Sequence, residues 1–228
     1  MTFRAFPKDL LRFLKELEKN NDKAWFDENR KRYEEVYVEP ALDLAAALSG
    51  PLQKMSPHLQ AIPKKVGGSL MRIHRDVRFS KDKTPYNVWL SMRFLHDEGG
   101  KGAPGFYLRI DPKHLHLGVG IWHPDKPELD KIREHLQADP KAWVRLRDGK
   151  ALRKAFPDME GESLKRPPKG IDPDHPIIED LKRKDFCFFG RRPSSVVTKD
   201  DFFKTLSADY RSAAKFLEHL CRGLDLSW

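Results

Sequence analysis

The densest group of chemically active side chains lies in RIHRDVRFSKDKTPY, the segment from Arg72 to Tyr86. Five of its fifteen residues are Arg or Lys and two are Asp, so it carries a net charge of +3. Arginine presents forked donors that match carboxylate and phosphate groups, and a neighbouring carboxylate can orient them. The segment therefore predicts either a site for an anionic group or a self-paired network of salt bridges that holds a loop.

In the first interpretation, the cations of the segment hold the anion and aromatic rings wall the pocket. The predicted ligand-binding residues are Arg72, Arg75, Arg78, Lys81, Lys83, Tyr86 and Trp122. Asp76 is the candidate catalytic residue, as a general base or as a carboxylate that orients an arginine. In the second interpretation, the arginines pair only with Asp76 and Asp82, and paired, buried guanidinium groups would favour it.

Other motifs give weaker signals. His114 and His116 place two imidazoles on one face of a predicted strand, as some metal sites do. Neither an acidic residue nor a cysteine stands at a diagnostic spacing from them, so we predict no metal site and no cofactor. The glycines of GVGIW lack the third glycine of a dinucleotide fingerprint and favour a bulge or close packing against Trp122. The sequence contains no Walker loop, CxxC motif or Ser-His-Asp pattern.

The charge of the chain is uneven along its length. The 228 residues carry a net charge of +9, whereas residues 1–50 hold nine Lys and Arg against ten Asp and Glu. Residues 51–228 therefore carry +10. Such a balance favours anionic partners, namely nucleic acid, phosphorylated small molecules or acidic protein surfaces, although a basic pI is also common among proteins without them.

The sequence also bears on location. No apolar run approaches the roughly eighteen residues that a membrane helix needs, and the N-terminal residues lack the features of a secretory signal. Cys187 and Cys221 both lie among apolar residues, as buried reduced thiols do. We therefore expect a cytoplasmic protein without membrane contact, and the sequence does not indicate its oligomeric state.

Helical spacing dominates the first fifty-odd residues. We predict one helix that begins near Pro7, a second capped by Asp22, and a third that runs from Pro40 to Gly50. After residue 123 helices return, and Ser207 is the predicted cap of the final one.

Between these helical regions the hydrophobic period changes to two, which is typical of strands with one buried face. The alternating segments are LMRIHR, VWLSMRF, GFYLRID and HLHLGVGIW, and Asp111-Pro112-Lys113 predicts a hairpin between the last two. DFCFF predicts a further buried strand. We therefore predict a single α+β domain, with a central, largely antiparallel sheet flanked by N-terminal and C-terminal helices. Its parts are helical residues 1–55, a sheet core at about 69–123, and helices and loops at 124–228.

The polar face of that sheet would mix cations with aromatic rings. It would hold Arg72, His74, Trp89, Ser91, Arg93, Tyr107, Arg109, His114, His116 and Trp122. Such a face can hold an anion and stack a ring. The alternative is a solvated face, or one covered by a second layer of helices.

Several motifs come in the order of one known family. They are NNDKAWFDENRKRYE from Asn20, RIHRDVRFSKDKTPY from Arg72, GFYLRID from Gly105, GVGIWHP from Gly118, and LKRPPKG followed by DHP from Leu164. The chain resembles, over nearly its whole length, an uncharacterised conserved-hypothetical family of bacteria and some fungi. The resemblance implies no established activity and no assigned catalytic residue. His74 stands where the family pattern leads us to expect Tyr, and His114 and His116 stand where it has no histidines, which weakens a catalytic or metal role for all three.

The sequence thus leaves three functions open. The first is binding of an anionic, phosphate- or carboxylate-bearing small molecule in an Arg/Lys/aromatic pocket, by a binding protein or by an enzyme. The second is a nucleic-acid-binding module that uses the basic, aromatic sheet face. The third is a structural or partner-binding protein in which the arginines only hold a loop together.

Overall fold

The first helices form where the sequence predicts them. The computed structural model of the protein describes residues 3–228, apart from the side chain of Lys101. Helix α1 spans Lys8–Lys19, α2 Lys23–Glu28 and α3 Arg30–Tyr33, and a π-helical turn at Glu34–Val38 leads into α4 at Glu39–Gln53. The predicted cap is confirmed, because the Asp22 carboxylate accepts a hydrogen bond from the Trp25 amide at 3.0 Å.

The predicted end of the third helix at Gly50 is wrong. Helix α4 continues through Gly50 and Pro51 to Gln53. Leu48 and Leu52, on either side, are both fully buried. Their packing outweighs the roughly 1 kcal/mol that a glycine costs inside a helix.

A five-stranded antiparallel sheet forms the middle of the molecule. Strand β1 spans Leu90–Leu95, β2 Gly105–Ile110, β3 His114–Ile121, β4 Asp158–Glu160 and β5 Phe186–Pro193. The spatial order is β1-β2-β3-β5-β4, and every neighbouring pair is antiparallel. The predicted hairpin is confirmed, since Asp111-Pro112-Lys113 joins β2 to β3 and the Asp111 amide donates to the His114 carbonyl at 2.9 Å. The fold class is therefore α+β, as predicted.

The remaining helices follow the third strand. They are α5 at Lys126–Ala138, α6 at Pro140–Arg147, α7 at Lys150–Ala155, α8 at Ile178–Leu181 and α9 at Phe202–Gly223. The prediction that Ser207 caps the last helix is wrong, because α9 begins at Phe202 and Ser207 is buried within it. Phe202 packs edge-to-face against Phe3, with ring centroids 6.5 Å apart, and this tertiary contact extends the helix beyond its local cap signal.

Helix α9 covers the apolar face of the sheet. Tyr210 stacks on Phe106 with ring centroids 4.4 Å apart, and Phe216 meets Phe188 edge-to-face at 5.1 Å. The strand residues that alternate onto this face, such as Met92, Leu108 and Leu117, are all at most 1% exposed. The sheet therefore buries one face, as the period of two predicts.

The predicted strand LMRIHR is wrong. This segment contributes only isolated bridges, Leu70 to Met92 and His74 to Tyr86. The Arg75 amide donates to the carbonyl of Pro85 at 2.8 Å. Pro85 has no amide with which to return a hydrogen bond, so the pairing cannot extend into a ladder. In the part of the chain that the structure describes, no helix is long and apolar enough to cross a membrane.

The sheet geometry predicts opposite effects for two glycine substitutions. Gly120 has φ +131°, and a Cβ there would lie 2.0 Å from the Phe186 carbonyl oxygen. We expect Gly120→Ala to lower the free energy of unfolding by about 2–4 kcal/mol. Gly50 has nothing within 4 Å of its Cβ position, so Gly50→Ala should raise it by about 0.5–1 kcal/mol. Urea unfolding of both variants measures these changes in the free energy of unfolding. A Gly120→Ala protein as stable as the wild type would contradict the close approach of β3 to β5.

Candidate functional site

The charged side chains of the Arg72–Tyr86 segment pair largely with one another. Arg75 donates to Asp82 at 2.6 Å and also to the Thr84 hydroxyl. Arg78 forms a bidentate pair with Asp76, with nitrogen–oxygen distances of 2.7 and 2.9 Å. These contacts close the loop on itself, which is the geometry of the salt-bridge interpretation.

The other predicted ligand-binding residues of the segment have separate surroundings. Lys83 donates to the Val77 carbonyl at 2.9 Å, whereas Arg72 and Lys81 are exposed. Tyr86 is only 5% exposed and stacks on Phe26 at 4.1 Å, so it belongs to the core. The structure therefore does not gather these residues around one cavity, although it does not test whether any of them binds a ligand.

The candidate base Asp76 is paired and exposed. The Arg78 side chain, followed by its backbone amide, lowers the pKa of Asp76 below the ordinary value for an aspartate. A carboxylate that holds its proton so weakly is a poor general base near neutral pH.

A groove lies instead on the sheet face opposite α9. Its volume is about 530 Å³, which lies within the roughly 300–1,000 Å³ that is usual for ligand pockets. We call it the sheet-face groove. It is lined by Met71, Arg93, Leu95, Gly102, Ala103, Gly105, Phe106, Tyr107, Arg109, Gly118, Val119, Gly120, Trp122, Cys187 and Phe189. Of the predicted ligand-binding residues Trp122 lines it, whereas the five cations of the Arg72–Tyr86 segment do not.

Glycines form the floor of the groove. In the register of the sheet, Gly118 lies between Tyr107 on β2 and Phe189 on β5. A Cβ at Gly118 would lie 3.0 Å from the Phe189 ring and 3.3 Å from the Tyr107 Cβ. The absence of a side chain therefore lets the Phe189 ring and Tyr107 approach the strand closely at this buried glycine. Gly105 and Gly120 pair with each other in the next row and lengthen the floor.

Aromatic rings form the walls. Trp122 is 47% exposed, which is unusual for so large an apolar ring, and it meets Phe189 edge-to-face at 5.8 Å. Tyr107 is half-buried, and burial raises the pKa of its hydroxyl. The exposed surface of these rings beside the groove offers a stacking position for a flat ligand.

Two arginines supply positive charge to the groove. Arg93 is exposed on β1. The Arg109 guanidinium lies over the Trp89 ring at 5.0 Å, and one of its terminal nitrogens is 3.5 Å from Asp111. Its buried Nε has no hydrogen-bond partner among residues 3–228. Since buried donors are normally satisfied, this atom is a candidate for a contact with a ligand or water.

A polar cluster adjoins the arginine end of the groove. His116 pairs in register with Arg109 on β2 and with Arg191 on β5. Its Nε2 lies 2.8 Å from the Asp111 carboxylate. Burial disfavours the charge of Asp111, but amide hydrogen bonds from Lys113 and His114 outweigh it and lower the pKa of Asp111 to about 2. The carboxylate is therefore ionised and offsets part of the positive charge there.

A histidine–aspartate pair lies next to Trp122. His123 Nδ1 is 3.0 Å from an oxygen of Asp185, which is completely buried. Asp185 also accepts hydrogen bonds from the amides of His123 at 2.8 Å and Glu162 at 2.9 Å. His123 has φ +51°, a left-handed conformation that is rare outside glycine and that often occurs at functional sites. A completely buried carboxylate therefore lies beside an imidazole that is 63% exposed.

The cysteine in the groove lining is not an activated nucleophile. Cys187 is 5% exposed, and burial raises the pKa of its thiol far above the ordinary value. A thiol in this state forms little thiolate at neutral pH.

Sequence reasoning found part of this site. Arg93, Tyr107, Arg109 and Trp122 were predicted on one sheet face and do line the groove. Phe189 and Asp185 were missed, because they reach the site only when β5 pairs with β3. The alternation of Cys187 and Phe189 in CFFG is the one local signal for Phe189, and 62 residues separate Asp185 from its partner His123.

Comparison with known families identifies the relatives of this chain. A family model described as "Conserved hypothetical protein (DUF2461)" matches residues 9–219, and the chain belongs to this family. No curated protein and no solved structure matches the chain. The match confirms the resemblance to a conserved-hypothetical family.

The low pKa of Asp111 predicts how its substitution depends on pH. An unfolded aspartate titrates near pH 3.9, so the folded carboxylate contributes stability that is complete above about pH 4 and is lost toward about pH 2. The unfolding free energies of the wild type and Asp111→Asn should therefore differ more at about pH 5 than at about pH 2.5. Urea unfolding at both pH values measures this, with the exposed Asp158→Asn as control. An equal difference at both values would contradict the low pKa.

Proposed function

We propose that this member of the conserved-hypothetical family binds an anionic small molecule with a flat ring in the sheet-face groove. The ring would lie on the glycine floor between Tyr107, Trp122 and Phe189. The anionic group, a phosphate or a carboxylate, would be held by Arg93 and Arg109, whose guanidinium groups match both.

The observation that carries this proposal is the order of residues across the strands. In one row of the sheet face, Arg93, Tyr107, Gly118 and Phe189 are consecutive neighbours. A cation, a ring, a glycine and a second ring therefore lie side by side within the reach of one small ligand. The Arg109 side chain, which is 35% exposed, provides further donors from the adjacent row.

The size and charge of the groove favour a small molecule over nucleic acid. A cavity of about 530 Å³ lies within the usual range for small-molecule sites, which is roughly 300–1,000 Å³. A nucleic-acid track needs a continuous series of phosphate contacts. In the basic Arg72–Tyr86 segment, two aspartates instead pair with the arginines.

A panel of ligands tests the binding proposal. The probes are inorganic phosphate, nucleoside monophosphates, sugar phosphates and aromatic carboxylates. A probe that binds should stabilise the protein by about 2.7 kcal/mol at a hundredfold excess over its Kd, which a thermal melt detects. Arg109→Met should weaken that probe at least tenfold, because the charged hydrogen bonds to its anionic group are lost.

Arg78→Ala is the matched control, since it removes one arginine from the self-paired loop without altering the groove. An equal loss of probe affinity in Arg78→Ala and Arg109→Met would indicate that the ligand binds at the Arg72–Tyr86 segment instead. The proposal would be contradicted if none of the probes bound the protein saturably. A single-stranded oligonucleotide that binds with a log-log salt slope of about −0.7 per phosphate contact would favour the nucleic-acid alternative instead.

The His123–Asp185 pair favours an enzyme as the second candidate function. A buried carboxylate that orients an exposed imidazole is an arrangement suited to general-base catalysis. If a bound probe is also converted, His123→Ala should lower its turnover by about a hundredfold or more while its Kd changes little. Steady-state kinetics and a binding isotherm on the same variant measure the two effects, and unchanged turnover would exclude His123 as the base.

We place this function in the cytoplasm. Cys187 and Cys221 are both buried thiols, which suits a reducing compartment.

A further inference from the structure

Two segments distant in sequence bring a pair of histidines together beyond the end of β1. Leu59 forms a bridge with His96, and the Asp97 amide donates to the His58 carbonyl at 3.0 Å. The backbone amide of Gln60 donates to the Leu95 carbonyl at 3.0 Å and extends this pairing. These backbone hydrogen bonds fix the position of the His58 backbone relative to that of His96. The two side chains are therefore held close together by the fold.

Nitrogen and oxygen atoms converge at this point. One ligand-capable atom from each of His58, His96 and Asp97 lies within 4.8 Å of the others. His58 Nδ1 is 3.0 Å from Asp97 Oδ1 and 3.6 Å from an oxygen of Glu98. His96 Nδ1 is 3.9 Å from the same Asp97 oxygen. Ligands at 2.0–2.1 Å from a tetrahedral zinc ion stand about 3.3 Å apart. The His58 and His96 rings are stacked with an interplanar angle of 13°, so the half-buried His58 ring has to rotate for both lone pairs to meet at one ion.

His96 is already held in the form that a metal requires. Its side chain is completely buried, and Nε2 lies 2.7 Å from the Ser227 carbonyl oxygen. A carbonyl can only accept, so Nε2 carries the proton and Nδ1 has the lone pair. The Glu98 backbone amide donates a long hydrogen bond of 3.3 Å to Nδ1, which agrees with this tautomer, and a bound metal ion would replace this bond. Metal-binding histidines in general donate their other ring N–H to such a partner.

The two carboxylates are oriented in the same way. Asp97 directs one oxygen to His58, while its other oxygen accepts a hydrogen bond from the side-chain amide of Gln60 at 3.0 Å. Glu98 directs one oxygen toward His58 while its other oxygen accepts from the Ser227 amide at 2.9 Å. Each group thus has a second contact that leaves one atom facing the common centre, which is the supporting arrangement of a metal site.

A second cluster with similar residues lacks this arrangement. Asp111, His114 and His116 also lie within 4.8 Å of one another. Two arginines are close to it, since an Arg109 nitrogen is 3.5 Å from Asp111 and an Arg191 nitrogen is 2.8 Å from His114. These fixed positive charges oppose a cation, whereas His58 and His96 lie beside two carboxylates.

We propose that His58, His96 and Asp97, supported by Glu98, bind a divalent first-row transition metal of the zinc class. Such ions bind well to imidazole nitrogens combined with one or two carboxylates, whereas magnesium and calcium prefer oxygen ligands alone. Asp97 and Glu98 are 42% and 40% exposed, so the ion can enter from solvent. Sequence reasoning did not consider His58 and His96 together, because they lie 38 positions apart in the chain.

Calorimetric titration tests the proposal with Zn²⁺ as the probe, on full-length protein treated with a chelator and then dialysed. The wild type should bind one equivalent with a saturable isotherm. His58→Ala and Asp97→Asn should each weaken the binding by at least about tenfold, while His116→Ala, the matched control in the second cluster, should leave Kd within about twofold.

Two further measurements guard against misfolding and against surface binding. A metal-free thermal melt shows whether His58→Ala folds, and Asp97→Asn repeats the test with a side chain of the same size. Co²⁺ should give visible absorption bands of a low-coordinate nitrogen–oxygen site in the wild type but not in His58→Ala. The proposal is overturned by the absence of saturable binding, or by a loss in His116→Ala that His58→Ala does not show.

Discussion

The structure depends on burying only one face of an antiparallel sheet. Helix α9 covers that face, and Tyr210 is the contact that joins the two layers most closely. Its ring stacks on Phe106, and its hydroxyl donates to the Tyr107 carbonyl at 3.2 Å. A buried tyrosine that both stacks and satisfies its hydroxyl combines a large apolar area with fixed orientation. With this layer in place, the opposite face of the same strands does not have to supply the core and can carry arginines, rings and glycines.

The chemistry of that opposite face follows from the register of the strands. Residues two apart on each strand face the groove, and pairing places residues of neighbouring strands side by side. Gly118 matters here because a side chain at this position would collide with Phe189 and Tyr107, which lie close over the strand. A sheet with the same composition in another register would still bury its apolar face, but it would separate the rings from the arginines.

The Arg72–Tyr86 segment has a different place in the molecule. Its Tyr86 is anchored in the core, where the Asn21 side chain binds both its amide and its carbonyl, at 3.0 and 2.9 Å. Its arginines pair with nearby aspartates, so the charges stiffen the connection into β1. The pairing favours the loop-holding interpretation of the segment, whereas the burial expected of its guanidinium groups is absent at Arg78, whose side chain is 76% exposed. The ligand-binding role of the segment stays a prediction.

Local physics explains what the sequence by itself determined. Helical spacing, the Asp22 cap, the period of two and the Asp111-Pro112-Lys113 hairpin depend on neighbours within a few residues, and these predictions are confirmed. The extra strand β4, the start of α9 and the failure of LMRIHR to form a strand depend on distant partners. The same holds for the joining of His123 to Asp185 and of His58 to His96. Such contacts form only when chain closure brings remote backbone groups together, so only the tertiary structure decided them.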